Sequence, residues 1–359
     1  MPKSPVPTLA ITAGLTIITS NMKKQTPVLS KWTVVQLLAL CVFAFCIVLI
    51  FLYKQPVGES DYVSVRAEKA DYHKIQAEGV TYHYNSDLIP VLCLGIDLEE
   101  KISSGSSDSF IPGYAGQADQ ITLLLFDRGN KRIRILSLQR DAMVPIRIFA
   151  ASGRDLGWTT DHLSVSFAYG DGQEKSCLLT AEAVSRLLNF IPIVYFGSAY
   201  LSDLPLIHSL AGDLTVTLPN EDLESFGPEY QNGNSITISA ANVELFLRYR
   251  DSSQFKSDEG RLERQKEYIV QYIAQIRRKF KEQPASMLSG VLNLSEQLVT
   301  NLNGDELQDL IQMAADFSFD PQKDFYRLPG QTVSGPDHDE FYIDEEAFQQ
   351  LVLELFYIS

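Results

Sequence analysis

The sequence predicts an α/β or α+β domain around one central sheet, carried behind a single membrane-spanning helix. Three observations predict it. Residues 32–53 form a run of 22 without a charged side chain. Beyond them, apolar runs of strand length alternate with segments of helical period, the pattern of a sheet covered by helices. A composition of 45 % apolar and 10 % aromatic residues over 359 positions is enough to build a real core.

In chain order, residues 1–21 include the apolar stretch ITAGLTIIT, too short to span a bilayer. The MKKQ that begins at Met22 reads as an ordinary start for an anchored chain, so 1–21 is taken as an extension. As a helix, 32–53 would measure roughly 33 Å, enough for a hydrocarbon layer of about 30 Å. Lys31 and Lys54 bracket it, and Trp32 and Tyr53 sit where amphipathic rings favour the interface. Lys3, Lys23, Lys24 and Lys31 precede it, which places 1–31 in the cytoplasm and the bulk outside. No small-residue cleavage site follows, so the span reads as an anchor. Residues 54–84 are polar and mixed, an extracellular stalk with a short helix over about 61–75.

The domain proper is read as 85–359. Its first strand is the apolar run DLIPVLCLGID at 87–97. A Gly/Ser-rich loop follows at 98–117, then two strands within 119–141 joined at Arg128-Gly129-Asn130. A helix within 161–190 ends near Leu188. The alternating stretches 214–219 and 235–240 are strands, and a helix begins after Ser239. From Arg261, the spacing of Leu262, Ile269, Ile273, Ile276 and Phe280 makes an amphipathic helix, on which Arg277 reads as a surface residue. Helices follow at 286–317 and 344–357.

The charge balance excludes one class of partner. The first 57 residues hold five lysines and no acid, leaving 25 basic and 45 acidic residues beyond, a net of −20. Nucleic-acid binding needs a basic face, so no nucleic acid is expected. Cys41 and Cys46 lie in the span; Cys93 and Cys177 read as small buried hydrophobes, with a disulfide between them open but not indicated. No CxxC or HExxH occurs, and five scattered histidines argue against a zinc site.

Three polar clusters end apolar elements. Asp97 and Asp119 flank the flexible loop; brought together, two carboxylates suit magnesium with phosphate oxygens completing the shell. On spacing alone, a turn cap at Asp97 is the simpler reading. Arg140-Asp141 follows a strand, where an arginine can clamp phosphate with two parallel bonds, or form an inconsequential surface pair. The segment RYRDSSQFKSDEGRLERQ, 248–265, gathers Arg248, Arg250, Arg261 and Arg264 around a helix N-terminus, a place that attracts anions. The solvated-loop alternative stays open, but the uniform choice of arginine favours planar recognition of phosphate.

Read together, VLCLGID at 91–97, GQADQITLLLFD at 116–127, SLQRDAMVPI at 137–146 and RYRDSSQFKSDEGRLERQ at 248–265 resemble the LytR-CpsA-Psr family in order and spacing. The resemblance covers most of 84–359. It implies a central mixed sheet wrapped by helices, with an apolar tunnel for a polyprenyl tail. It also implies an activity: transfer of a polyprenyl-diphosphate-linked glycopolymer, of teichoic acid or capsule type, onto peptidoglycan, with Mg2+ as cofactor. Carried over by residue, Asp97 and Asp119 are the metal pair. Arg140, Arg248, Arg250 and Asp258 belong to the catalytic set, which Asp141 joins because Asp97 or Asp141 is expected to take the acceptor's proton; Arg140, Arg248, Arg250, Arg261 and Gln265 bind substrate.

The family's G-R-S-D pattern reads here Gly116-Gln117-Ala118-Asp119, one phosphate donor fewer, and Gln139 stands for a usual proline. The partners implied are a polyprenyl-diphosphate glycan lipid, peptidoglycan and the membrane. Two expectations follow: Asp97 and Asp119 share one magnesium, and Arg140, Arg248, Arg250 and Arg261 converge on one pocket while Arg264 turns away to pair with an acid. The alternative is a non-catalytic polyprenyl-phosphate-binding regulator or scaffold of envelope assembly. A cytoplasmic transcription regulator is disfavoured by the topology and the charge.

Overall fold

The computed structural model describes residues 72–102, 113–249, 257–336 and 338–359. The expected span at 32–53 lies outside them. Among the described residues no helix is long and apolar enough to cross a membrane.

In chain order the elements are β1 (Lys74–Ala77), β2 (Val80–Tyr84), β3 (Leu88–Ile96), β4 (Ala118–Asp127), β5 (Arg132–Leu138), β6 (Met143–Phe149), β7 (Asp155–His162), α1 (Val165–Ala168), α2 (Glu174–Leu187), β8 (Tyr195–Ala199), α3 (Leu204–Ala211), β9 (Leu214–Thr217), β10 (Ser235–Ile238), α4 (Val243–Arg248), α5 (Ser257–Glu282), α6 (Pro284–Gln297), β11 (Val299–Thr300), α7 (Gly304–Asp316), β12 (Phe325–Arg327), β13 (Gly330–Ser334), β14 (Asp339–Ile343), α8 (Glu345–Phe356) and β15 (Tyr357–Ile358).

Six strands form the central sheet in the order β11-β8-β3-β4-β5-β12. The pairs β3–β4, β4–β5 and β8–β11 are antiparallel, and β3–β8 and β5–β12 are parallel, so the sheet is mixed as expected. All ten residues of β4 are buried, because it lies inside the sheet with both faces covered. Alternation assigns the faces. Val91, Cys93, Leu124, Phe126, Ile133 and Ile135 pack with α3 to α7 and with the β9–β10 hairpin. Leu92, Leu94, Ile121, Leu123, Leu125 and Leu136 pack with α1, α2, the β6–β7 hairpin and α8. Period-two alternation thus divides one sheet between two cores.

Helix starts follow local chemistry. Asn303 caps α7 in a reciprocal box with Glu306, its side chain accepting from Glu306 N at 2.9 Å while Asn303 N donates back at 3.0 Å. Asp344 caps α8 by accepting from Ala347 N at 3.1 Å.

One expectation needs correction. The short helix placed over about 61–75 does not reach Lys74 and Ile75, which are strand. Residues 74–84 form the β1–β2 hairpin, and β15 pairs with β2, so this part of the supposed stalk is tied to the C-terminal end of the chain. Alternating side chains there satisfy a sheet partner that lies some 275 positions away, a pairing no local pattern encodes. The helix expected within 161–190 is α2, which ends at Leu187, and the short α1 precedes it across Gly170 and Gly172. Gly172 has φ +73, where an L side chain is strained. Cys177 is a buried free thiol, as its default reading had it, and the Cys93–Cys177 disulfide that the sequence did not indicate is not formed.

Candidate functional site

The polar end of the central sheet lies where β3 and β4 meet. Gly95 pairs with Gln120 and Ile96 with Ala118, so Asp119 is the extra residue of a bulge. A bulge re-aims a side chain out of the regular alternation. Asp97 follows β3 directly. The returning chain passes it at Gly116, whose φ is +83 and where an added Cβ would stand 3.0 Å from Asp97 Oδ1. Glycine is needed there for both reasons. Gln117 N then donates to Asp97 Oδ1 at 2.7 Å, and Gln117 O accepts from Asp97 N at 3.1 Å and Asp119 N at 3.0 Å. The 20-residue loop therefore closes at its base, and Asp97 and Asp119 stand on either side of one residue.

Asp119 is 2 % exposed. Burial pushes its carboxyl up to about 8; Arg140 pulls the other way, and the charge of Asp97 adds to the upward push. Desolvation outweighs the ion pair with Arg140 Nη1. Asp119 Oδ2 is buried with no hydrogen-bond partner among the described residues. An orphaned buried carboxylate oxygen is rare in folded proteins and fits a site made for a cation. Among the described residues no group of three or more His, Cys, Asp or Glu could hold a metal ion. A hard cation here would rest on the two carboxylates and on oxygens of a ligand.

Arg140, just past β5, donates from Nη1 to Asp119 Oδ1, from Nε to Asp141 Oδ1 at 2.9 Å and from Nη2 to Gln117 Oε1 at 2.9 Å. The backbone of this turn is pinned as well: Arg140 O accepts from Ser164 N at 2.9 Å and Asp141 O from Phe341 N at 2.8 Å. Burial raises the Asp141 carboxyl above its ordinary value, against the pull of Arg140.

A second group forms where α4 ends and α5 begins. Arg248 is 6 % exposed, pairs with Glu244, and has its Nε buried without a partner among the described residues. Gln265 is buried and donates from Nε2 to Leu247 O at 3.2 Å. Arg264 is wholly buried. It pairs with Asp222, donates from Nε to Phe246 O at 3.0 Å and from Nη1 to Asn220 Oδ1 at 3.1 Å, and bonds Tyr249 O through Nη2. It fastens α5 to α4 and to the turn after β9, so it turns to an acid and serves the fold. Arg250 lies outside the described residues, and of Asp258 and Arg261 only the helical backbone is described.

Two points escaped the sequence. Arg277 is not a free surface residue: it is half-buried and donates to Phe317 O at 3.1 Å, whereas its neighbour Arg278 is exposed. Gln117 and Ser164 were no site candidates, yet both touch Arg140. The one available signal was their nearness to Asp119 and to a helix start.

A model of the LytR_cpsA_psr family matches residues 57–352. The chain belongs to the LytR-CpsA-Psr family. Solved structures share the fold. Bacillus subtilis TagV is 20 % identical with a TM-score of 0.53, covering 75 % of this chain and 96 % of its own. Protein gbs0355 of Streptococcus agalactiae is 19 % identical with a TM-score of 0.55, covering 75 % and 88 %. TagT bound to LIIa-WTA is 21 % identical with a TM-score of 0.51, covering 76 % and 90 %. No curated protein matches the chain. The LytR-CpsA-Psr resemblance read from 91–97, 116–127, 137–146 and 248–265 thus led to the right family.

Proposed function

We propose that the protein is a membrane-anchored extracellular phosphotransferase that attaches a polyprenyl-diphosphate-linked glycopolymer to peptidoglycan. The observation that carries this reading is the orphaned Oδ2 of buried Asp119, set beside Asp97 and the guanidinium of Arg140. Such a corner wants a cation and an anion together, which is what a magnesium-bound diphosphate offers. Membership of the LytR-CpsA-Psr family supports the cell-wall role, and the TagT structure with LIIa-WTA suggests a ligand of that class.

Asp97 and Asp119 would hold Mg2+, which supplies neutralisation of diphosphate charge when bound. Arg140, Arg248, Arg250 and Arg261 would neutralise the diphosphate, and Gln265 and Asp258 would complete the set. Most of the catalysis in phosphoryl transfer lies in such positioning and charge stabilisation. An acceptor hydroxyl of peptidoglycan attacks the phosphorus nearest the glycan. The bond from that phosphorus to the bridging oxygen breaks, and polyprenyl monophosphate leaves. Asp141, whose raised pKa makes it a better proton acceptor than an ordinary aspartate, takes the hydroxyl proton. The polyprenyl tail would enter an apolar tunnel of the kind that the family resemblance implies.

The test is turnover by the full chain in detergent, given a lipid-diphosphate glycan, peptidoglycan and Mg2+. Transfer of glycan with release of polyprenyl phosphate, lost on chelation, is expected. Binding without turnover would sink the enzyme reading and favour a regulator or scaffold, which the neutral Gln117 also suits. For the anchor, protease added to intact spheroplasts should digest residues 54–359; full protection would refute the topology.

A further inference from the structure

We propose that Gln117 is a positioning residue: its side-chain carbonyl fixes the plane of the Arg140 guanidinium, so one loop residue sets the geometry between the anion clamp and the carboxylate pair. This rests on the reading of the site as a diphosphate site. The argument starts from the backbone. Gln117 N and O bond Asp97 Oδ1, Asp97 N and Asp119 N at 2.7, 3.1 and 3.0 Å. Both carboxylate-bearing residues therefore take their position from it. The side chain reaches the third group, accepting at Oε1 from Arg140 Nη2 at 2.9 Å.

Arg140 is thus held at each of its three nitrogens by a different acceptor: Asp141 at Nε, Asp119 at Nη1 and Gln117 at Nη2. A planar fork held at three corners has a fixed plane, and bidentate phosphate recognition depends on that plane. Ser164 Oγ also donates to Gln117 Oε1, at 3.4 Å, so two donors orient the amide. Ser164 is itself placed by the same turn, through its N to Arg140 O at 2.9 Å and its O to Ala118 N at 3.1 Å.

The amide also has the right charge. Asp119 and Asp141 already pair with this guanidinium, and the charge of Asp97 acts on Asp119 beside them. A fourth carboxylate in place of Gln117 would hold Arg140 and repel a diphosphate. A neutral acceptor holds Arg140 without adding charge. A side chain that merely filled the loop would need no such acceptor, and methionine would serve as well.

The experiment is a double-mutant cycle on the full chain in detergent micelles, read by calorimetric titration with inorganic pyrophosphate in Mg2+. The proteins are wild type, Gln117→Met, Arg140→Lys and the double variant. Wild type should bind, and each single change should weaken binding about tenfold, the worth of one lost charge-assisted hydrogen bond. The double variant should bind no worse than Arg140→Lys, because Gln117 acts only through Arg140. Wild-type affinity in Gln117→Met, or losses that multiply to about a hundredfold, would overturn the proposal. Should Gln117→Met not fold, Gln117→Asn, whose amide falls short of Arg140, takes its place in the cycle.

A separate readout needs no ligand. The Nε–H resonance of Arg140, assigned by its disappearance in Arg140→Lys, should be sharp in wild type and broadened in Gln117→Met. An unchanged resonance overturns the positioning role. Failure of wild type to bind pyrophosphate, with the resonance behaving as expected, removes the diphosphate reading and leaves the positioning of Arg140 standing.

Discussion

Asp119→Asn should lose at least about a hundredfold in turnover, the scale of removing one essential charge-stabilising group from an active site. It should nevertheless melt at a higher temperature than wild type in metal-free buffer at pH 8. The sign follows from linkage. The folded-state pKa of Asp119 is about 8, above the ordinary 3.8, so the folded chain keeps a proton that the unfolded chain has released. The stability tied to that proton is complete below about pH 4 and is lost progressively as pH rises to about 8. Asparagine, neutral at every pH, does not suffer that loss. The advantage of the variant should be on the order of a few kcal/mol at pH 8 and vanish toward pH 4. Mg2+ should restore wild type and leave the variant unchanged, since a cation favours the ionised carboxylate. Melting curves at pH 4, 6 and 8, with chelator and with Mg2+, decide the matter. Parallel pH slopes for the two proteins would mean that Asp119 is not a buried, strained acid.

Arg264→Met should destabilise the domain by about 3–5 kcal/mol, lowering its melting temperature by something on the order of 10 °C. Arg264 is wholly buried and joins Asp222, Asn220, Phe246 O and Tyr249 O, on two separate segments. Removing it leaves Asp222 and three other acceptors short of a donor, which costs far more than the pair contributes. Because those acceptors include the chain next to Arg248, pyrophosphate binding should fall as well. Arg278→Met, at an exposed position of the same helix, is the control and should change stability by less than about 0.5 kcal/mol. Equal melting temperatures for the two variants would contradict the clamp that the structure assigns to Arg264.

The sequence alone determined the elements whose cause is local. Strand β3 within 87–97, the β4–β5 hairpin within 119–141, the β9–β10 pair and the amphipathic stripe of α5 were legible because side-chain period and turn residues act over a few positions. Family membership was legible too, since motif residues keep their order along the chain.

What the tertiary structure decided lies between distant segments. The hairpin at 74–84 joins β15 because a strand edge seeks any free partner, however remote. Asp119 becomes the bulged residue because the pairing of β3 with β4 slips by one there, which neither strand's own pattern contains. Of four arginines in 248–265, Arg264 is the one buried against Asp222, because the turn after β9 happens to pass α5 at that point. Arg277 and Arg278 look alike in sequence, and only the packing of α5 beside Phe317 tells them apart. Gln117 shows the limit best. Its identity looked like a missing phosphate donor, and only the fold brings its amide to the Nη2 of Arg140, 23 positions away. Local order along a chain follows from nearest-neighbour sterics and periodicity; the partner of a polar side chain is set by which segments the core brings together.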